Sequence, residues 1–177
     1  MAELELYHIT CKEYPIGKVP TLEGESLYHL STQTDGRAWI NEFLDSQKSS
    51  EMPSRKKVFY ACDSINNCKA LKSTAAKPHC TPKIYKVRMA NPSKLPMALV
   101  NHLFKLGQEH LKVNEVAREY WYPTMDWQFY EYLSYEMEII EEVLNTDLSL
   151  QGQMLFWGFN NDNIIADSKL ANKKFNK

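Results

Sequence analysis

The amino-acid sequence predicts a single α+β domain with a mixed, mostly antiparallel sheet. The chain has 177 residues, of which 44% are hydrophobic, enough for one core and too few for two comfortable domains. Segments with the two-residue period of strands are interleaved with segments of helical period. Their order lacks the regular strand–helix–strand alternation of a parallel sheet, and this irregular order favours an α+β architecture.

The first predicted element is a strand over residues 3–10, in which Leu6 and His8 share one face. A loop follows, because the next part of the chain contains two prolines and two glycines within a short distance. Residues 26–31 repeat the Leu-Tyr-His motif of the first strand and predict a second, shorter strand. We interpret its His29 as structural or as part of a pocket edge.

The middle of the chain alternates predicted helices and strands. Capping residues and apolar spacing predict a helix after Asp35, a buried strand over 57–61 and a short helix after Asp63. The other predicted elements of this part are a strand over 83–90, a helix over 94–111 and a short helix from Asn114 to Pro123.

The C-terminal part is less sharply patterned. Residues 136–144 fit either a helix or a strand, whereas residues 153–159 have strong strand chemistry. Residues 161–177 are polar and predict a tail that frays. We therefore expect a domain over residues 1–160 and a polar C-terminal tail over 161–177.

Composition excludes several classes of function. The formal net charge is −1, with 21 basic and 22 acidic residues, so the general basic excess typical of nucleic-acid-binding proteins is missing. The N-terminus does not resemble a signal peptide, and no apolar run approaches the roughly 20 residues of a membrane span. These features predict a cytoplasmic protein without a membrane segment.

Four cysteines are expected to be reduced and without metal, because their spacing, even with His79, is unlike common zinc sites.

Three segments, taken in order, resemble the signature segments of the ADP-ribosyltransferase superfamily. They are "LYHIT" at 6–10, "KVFYACDSINNCKAL" at 57–71 and "FYEYLSYEMEIIEEV" at 129–143. The resemblance is to the histidine–aromatic–glutamate branch, which includes poly(ADP-ribose) polymerases, diphtheria-type toxins and small bacterial and phage domains. It implies a sheet that is split around an NAD-binding cleft, with helices on its flanks.

The resemblance also implies a site and a co-substrate. NAD is the implied co-substrate, and the reaction breaks the bond between its nicotinamide and ribose. His8 would hold the adenosine-side ribose with Thr10 beside it, and Phe59 or Tyr60 would stack on the nicotinamide. Glu131 would be the catalytic carboxylate that stabilises the cationic ribose, with His8 as its catalytic companion.

Several residues depart from the family pattern or compete with these assignments. Toxins that modify arginine carry Gln or Glu at the position of Phe129, so arginine specificity is not supported. Glu115, Glu136 and Glu138 are rival carboxylates. By propensity alone, a histidine or an aromatic residue on a buried strand is more often part of the core than of a site, and this applies to His8 and to the aromatic pair at 59 and 60.

The leading functional hypothesis is an NAD-dependent mono-ADP-ribosyltransferase that modifies a macromolecule. The acceptor is expected to be a protein, with nucleic acid kept as an alternative, and such small proteins are often toxins or phage or defence effectors. The alternative is a catalytically inactive relative that binds and inhibits a partner protein, which the missing tyrosine hydroxyl at Phe59 favours. A third hypothesis is an unrelated α+β interaction protein. For an active enzyme, we expect Glu131→Gln to abolish NAD cleavage and to leave folding nearly intact.

Overall fold

The computed structural model describes residues 3–26, 29, 36–70, 81–144 and 162–176. This part of the chain contains strands β1 (Glu3–Thr10), β2 (Phe59–Ala61), β3 (Lys83–Ala90), β4 (Ser93–Pro96), β5 (Tyr130–Ser134) and β6 (Glu138–Glu142). It also contains helices α1 (Ala38–Gln47), α2 (Ile65–Ala70), α3 (Ala98–Leu106), α4 (Val113–Trp121) and α5 (Asp162–Phe175), and a 3₁₀ turn at Arg55–Lys57. The predicted single α+β domain is confirmed.

The strands form two small antiparallel sheets. One sheet has the order β1-β3-β6 and the other has the order β2-β5-β4. They meet where Tyr7 of β1 forms an isolated bridge with Cys62, the residue that follows β2, through backbone hydrogen bonds that are 2.8 Å long in both directions. The prediction that residues 3–10 and 57–61 belong to one sheet is therefore wrong, because the ladder between them does not extend beyond this bridge.

Most of the predicted elements that lie in the described residues are confirmed, with one informative difference at a border. The strands over 3–10 and 83–90 have the predicted bounds, and the ambiguous segment 136–144 contains strand β6. The helix predicted over 94–111 begins only at Ala98, because β4 pairs with β5 just before it. Proline is tolerated in β4 because this strand lies at the sheet edge.

Two other predicted strands lie mainly or wholly outside the described residues. Of the strand predicted over 26–31, only Ser26 and His29 are described, and His29 is helical. The strand predicted over 153–159 lies entirely outside the described residues.

The C-terminal segment that the sequence predicts to fray is instead helix α5. Ala171 and Phe175 are buried and belong to the main core, and Asp167 is fully buried. Both carboxylate oxygens of Asp167 accept hydrogen bonds from the backbone of Gln128, and Phe129 donates a further bond of 2.8 Å. Helix α5 thereby fixes the chain at the start of β5, next to Glu131. The domain boundary at 160 stays a prediction.

None of the helices in the described residues has the length and apolar character that a membrane crossing requires.

Candidate functional site

A cavity of about 70 Å³ lies where β1 and β2 separate beyond their bridge. Its walls include all the site residues that the sequence predicts: His8, Thr10, Phe59, Tyr60 and Glu131. These residues come from three segments that are far apart in the chain, and the fold brings them to one place. Residues 12–26, which follow β1, supply most of the remaining wall.

His8 occupies the gap between the separating strands. Its Nδ1 lies 2.6 Å from the backbone oxygen of Tyr60, an oxygen that a continued ladder with β1 would otherwise use. Because a carbonyl oxygen can only accept, Nδ1 carries the proton, and Nε2 of a neutral ring is an acceptor. Burial lowers the pKa of His8 to about 4, although the bond to Tyr60 opposes this effect, so the ring is neutral near pH 7. Nε2 is buried and has no hydrogen-bond partner among the described residues.

Phe59 and Tyr60 project to opposite faces of β2, as neighbours in a strand do. Tyr60 pairs with Leu133 in the register between β2 and β5, and it therefore shares a face with Glu131, two residues before Leu133. Phe59 lies on the side of His8, with the two rings edge to face and their centroids 6.2 Å apart. The aromatic pair is thus divided, with one ring beside the histidine and the other on the face of the glutamate.

Glu131 is held by two buried side chains that sequence reasoning missed. Its side chain is 1% exposed and forms an ion pair between Oε1 and Nη1 of Arg55, which is fully buried. The hydroxyl of Tyr120 accepts a hydrogen bond from the same Nη1 and donates to Oε1 of Glu131 at 2.6 Å. Burial raises the pKa of Tyr120 well above its usual value, so the phenol keeps the proton that it donates. All the hydrogen bonds that the described residues make to Glu131 thus arrive at Oε1.

Arg55 is itself fixed from several directions. Its Nε donates to Oδ1 of Asn41 at 2.8 Å, and its backbone N–H donates to Asp45 at 2.9 Å. Its guanidinium lies 5.3 Å from the ring centre of Tyr60 and 5.1 Å from that of Tyr120. The sequence Arg55-Lys56-Lys57 suggests a surface patch, and no local pattern distinguishes the buried arginine from the two lysines.

The second histidine of the Leu-Tyr-His repeat, His29, contacts Asn41, which in turn binds Arg55. His29 is buried, and its Nδ1 lies 3.1 Å from Nδ2 of Asn41, which binds Arg55. Its backbone N–H also donates to Oγ of Ser26. His29 does not line the cavity, and its contacts fit the structural interpretation.

The rival carboxylates lie elsewhere. Glu115 pairs with Lys112 at 2.9 Å, and Glu138 pairs with Arg88 at the same distance on β6. Glu136 is exposed in the turn before β6. None of the three lines the cavity, although Glu23 and Glu25, which the sequence did not single out, are exposed carboxylates at its rim.

The loop over residues 11–26 closes the cavity from outside. Gly17 donates to the carbonyl of Ile139 at 2.8 Å, and the N–H of Ile139 donates to Lys18 at 3.0 Å, so the loop is paired with β6. At its far end, the backbone of Ser26 donates to Lys56 at 2.7 Å. Pockets that bind drug-sized ligands have volumes of about 300–1,000 Å³. A dinucleotide would therefore enter this cavity only after displacement of the loop.

The cysteines differ from the prediction at one position. Cys11 is disulfide-bonded, so the expectation of reduced thiols is wrong for this residue. Cys62 and Cys68 are free and buried, and burial raises the pKa of Cys62 well above its usual value. The described residues contain no group of three or more potential metal ligands, and His79 and Cys80 lie outside them.

No protein-family model matches this chain, and no curated protein matches it either. The resemblance to ADP-ribosyltransferases therefore rests on the three sequence segments alone.

Proposed function

We propose that this protein binds NAD between its two sheets and transfers ADP-ribose from it to a macromolecular acceptor. The observation that supports this proposal is the cavity that His8, Thr10, Phe59, Tyr60 and Glu131 line together. The resemblance selected these residues from sequence order alone, and nothing in their local sequence requires them to meet.

His8 suits a ligand that carries hydroxyl groups. Its neutral ring is oriented by the bond from Nδ1 to Tyr60, and its Nε2 is a buried acceptor without a partner in the part of the chain that the structure describes. A buried polar atom without a partner costs free energy, about 1–3 kcal/mol. A ribose hydroxyl that donates to Nε2 would remove this cost, and Thr10 on the same strand adds a hydroxyl to the wall.

Glu131 supplies negative charge in the wall of the same cavity. When NAD is bound, its glycosidic bond breaks with the electron pair leaving on nicotinamide, and the acceptor nucleophile forms the new bond to ribose and loses its proton. The carboxylate stabilises the positive charge that develops on the ribose. Since Oε1 is occupied by Arg55 and Tyr120, Oε2 is the oxygen available to the substrate.

The aromatic residues have separate tasks in this proposal. The hydroxyl of Tyr60 donates to the backbone oxygen of Arg55, so this ring is held in the network behind Glu131. Phe59 has no polar group to satisfy and lies beside His8. Its face is therefore the better platform for the nicotinamide ring.

The acceptor is proposed to be a protein, since the net charge of −1 gives no general attraction to nucleic acid. A role as a toxin or as a phage or defence effector in the cytoplasm is part of the same proposal. The disulfide at Cys11 weighs against a reducing compartment. Mass spectrometry of the protein as it is made in cells, with and without a reductant, tests the compartment.

A second candidate function is supported by the closed state of the site. The cavity holds only about 70 Å³, and Glu131 is 1% exposed in an ion pair that has the character of a structural contact. These observations favour a binding module that retains the fold and inhibits a partner protein without chemistry.

One experiment separates the two functions. Purified protein is incubated with NAD, with water as the acceptor nucleophile and in parallel with added acceptor protein from a cell extract, and free nicotinamide is measured by chromatography, with binding followed by calorimetry. The proposal expects saturable binding and nicotinamide release above the uncatalysed rate. Binding without release favours an inactive relative, and the absence of both contradicts the proposal.

A further inference from the structure

We propose that Arg55 and Tyr120 are positioning residues for the chemical step, because together they orient the carboxylate of Glu131 towards the cavity. This inference rests on the proposed function and adds two residues that lie outside the three signature segments. Neither residue needs to touch the substrate, since both act through Glu131.

The geometry supports this inference at the level of single atoms. Nη1 of Arg55, the hydroxyl of Tyr120 and Oε1 of Glu131 form a closed triangle of hydrogen bonds. A carboxylate with one oxygen fixed in this way has lost rotation about its terminal bond. Its second oxygen therefore has a fixed orientation before the substrate binds, and binding costs no further rotational entropy of this side chain.

Arg55 and Tyr120 are themselves held in place by buried contacts, so they can fix the orientation of Glu131. Arg55 and Tyr120 are 0% exposed, and Arg55 is bound by Asn41 and stacked against the ring of Tyr120. Tyr120 lies on α4 and contacts the ring of Trp121, whose Nε1 donates to the carbonyl of Leu44 on α1 at 2.7 Å. The helices on one side of the sheets thus set the orientation of a side chain on β5.

The placement within the cavity argues against a purely structural pair. Glu131 lines the cavity, whereas Arg55 and Tyr120 do not. A pair that served stability alone could satisfy both carboxylate oxygens away from the cavity. Here both donors approach one oxygen and leave the other without a hydrogen bond from the described residues.

The test is a double-mutant cycle on NAD cleavage with Tyr120→Phe and Glu131→Gln. Phenylalanine keeps the ring and removes only the hydroxyl that bridges Arg55 and Glu131. We expect Tyr120→Phe to lower kcat about tenfold with KM unchanged, as is usual for a partner that orients a catalytic group. In the Glu131→Gln background, the same change should lower kcat no further, because its effect passes through the carboxylate.

Tyr122→Phe is the matched control. It removes a hydroxyl from the residue that follows α4, where the oxygen accepts from the backbone of Ser49, and kcat should not change. Arg55→Lys keeps the positive charge but loses the planar guanidinium. It should therefore lower kcat and change KM little. If Glu131→Gln does not fold, the cycle uses the Arg55→Met/Glu131→Gln background, in which the carboxylate is equally absent.

The outcomes distinguish this inference from the function on which it rests. A wild type that cleaves NAD, together with a Tyr120→Phe variant of normal kcat, overturns the positioning role and leaves the function standing. Equal decreases of kcat for Tyr120→Phe in both backgrounds also overturn it, because they indicate a general structural effect. A wild type that does not release nicotinamide overturns both.

Discussion

Glu119 and Glu131 are two buried glutamates with different surroundings. Oε1 of Glu119 accepts from the backbone of Thr124 at 2.9 Å and from Nε1 of Trp127 at 3.1 Å. Its Oε2 accepts from Oγ1 of Thr124 at 2.7 Å and lies 3.4 Å from Nζ of Lys174. Both oxygens of Glu119 are therefore satisfied within the fold, whereas Glu131 is held through Oε1 alone.

The difference separates a structural acid from a candidate catalytic one. Burial raises the pKa of Glu119, but hydrogen bonds from Thr124 and Trp127 outweigh this effect and lower it. The charged carboxylate thus connects the end of α4 to the chain that follows. Glu131 has comparable burial but lies at the cavity with one oxygen uncommitted. Burial alone therefore does not identify a functional carboxylate, and the distribution of hydrogen bonds between its two oxygens is more informative.

The largest expected effect is on NAD cleavage. Glu131→Gln should lower kcat by on the order of 10²–10³, because the amide keeps the shape of the side chain but lacks the charge that stabilises the transition state. Glu119→Gln should leave kcat unchanged, since that residue does not line the cavity. Glu115→Gln gives a second control for an exposed carboxylate. Rates are measured as nicotinamide release, and a larger loss in either control would reverse the comparison.

Glu131→Gln and Glu119→Gln should also differ in their effect on the free energy of unfolding. The sequence alone suggests that Glu131→Gln leaves folding nearly intact, but this substitution removes the carboxylate that forms an ion pair with the buried charge of Arg55. We therefore expect a loss of about 3–5 kcal/mol in the free energy of unfolding. Glu119→Gln should cost about 1 kcal/mol, because an amide oxygen still accepts hydrogen bonds.

The control for this stability prediction is the double variant Arg55→Met/Glu131→Gln. It removes both charges together and should recover much of the stability, because replacing a whole buried pair is often neutral. Urea unfolding at neutral pH gives the free energies of unfolding of the wild type, the two single variants and the double variant. A single Glu131→Gln variant as stable as the wild type would show that the buried pair contributes little.

Acid should destabilise the cavity region through His8. The pKa of this residue is about 4 in the folded protein and about 6.5 in an unfolded chain. Between these values the unfolded chain binds a proton that the folded protein does not, so the free energy of unfolding falls as the pH decreases from 6.5 towards 4. The total should reach about 3 kcal/mol, at about 1.4 kcal/mol per pH unit. Above pH 6.5, His8 contributes no pH dependence.

The measurement compares urea unfolding of the wild type and of His8→Gln across this pH range. His102 also has a pKa that burial lowers, and it contributes equally to both proteins. The difference between the two curves therefore isolates His8. Parallel curves would contradict the assignment of a buried, neutral imidazole at the cavity.

The smallest expected effect is on NAD affinity. His8→Ala should weaken binding about tenfold, since the loss of one hydrogen bond to Nε2 corresponds to roughly 1–1.5 kcal/mol. His102→Ala is the matched control, because His102 is another buried histidine whose Nε2 has no partner within the described ranges, and it lies in a groove between α3 and α5. Calorimetry gives both affinities. Equal weakening would indicate loss of packing instead of a contact with the ligand.

The local sequence is sufficient for strands β1 and β3, but it places most of β4 inside a helix. Alternation over residues 3–10 and 83–90 predicts β1 and β3 with the observed bounds. The order of the three signature segments selects His8, Phe59 and Glu131, which the fold brings to one cavity. The strand predictions succeed because strand periodicity is a property of neighbouring residues, whereas the roles of the site residues stay a prediction.

The partners of those residues depend on the tertiary structure. Arg55 is 65 positions from Tyr120 and 76 positions from Glu131 in the chain, and no local pattern connects the three residues. The α5 helix was mistaken for a fraying tail for a similar reason, because its polar composition conceals the few side chains that reach the core. Burial and ion pairing are set by which distant segments approach one another, and that is decided only when helices and sheets pack. The sequence by itself therefore ranked Glu131 ahead of the rival carboxylates, and the packing determined how the hydrogen bonds of the described residues are distributed over its two oxygens.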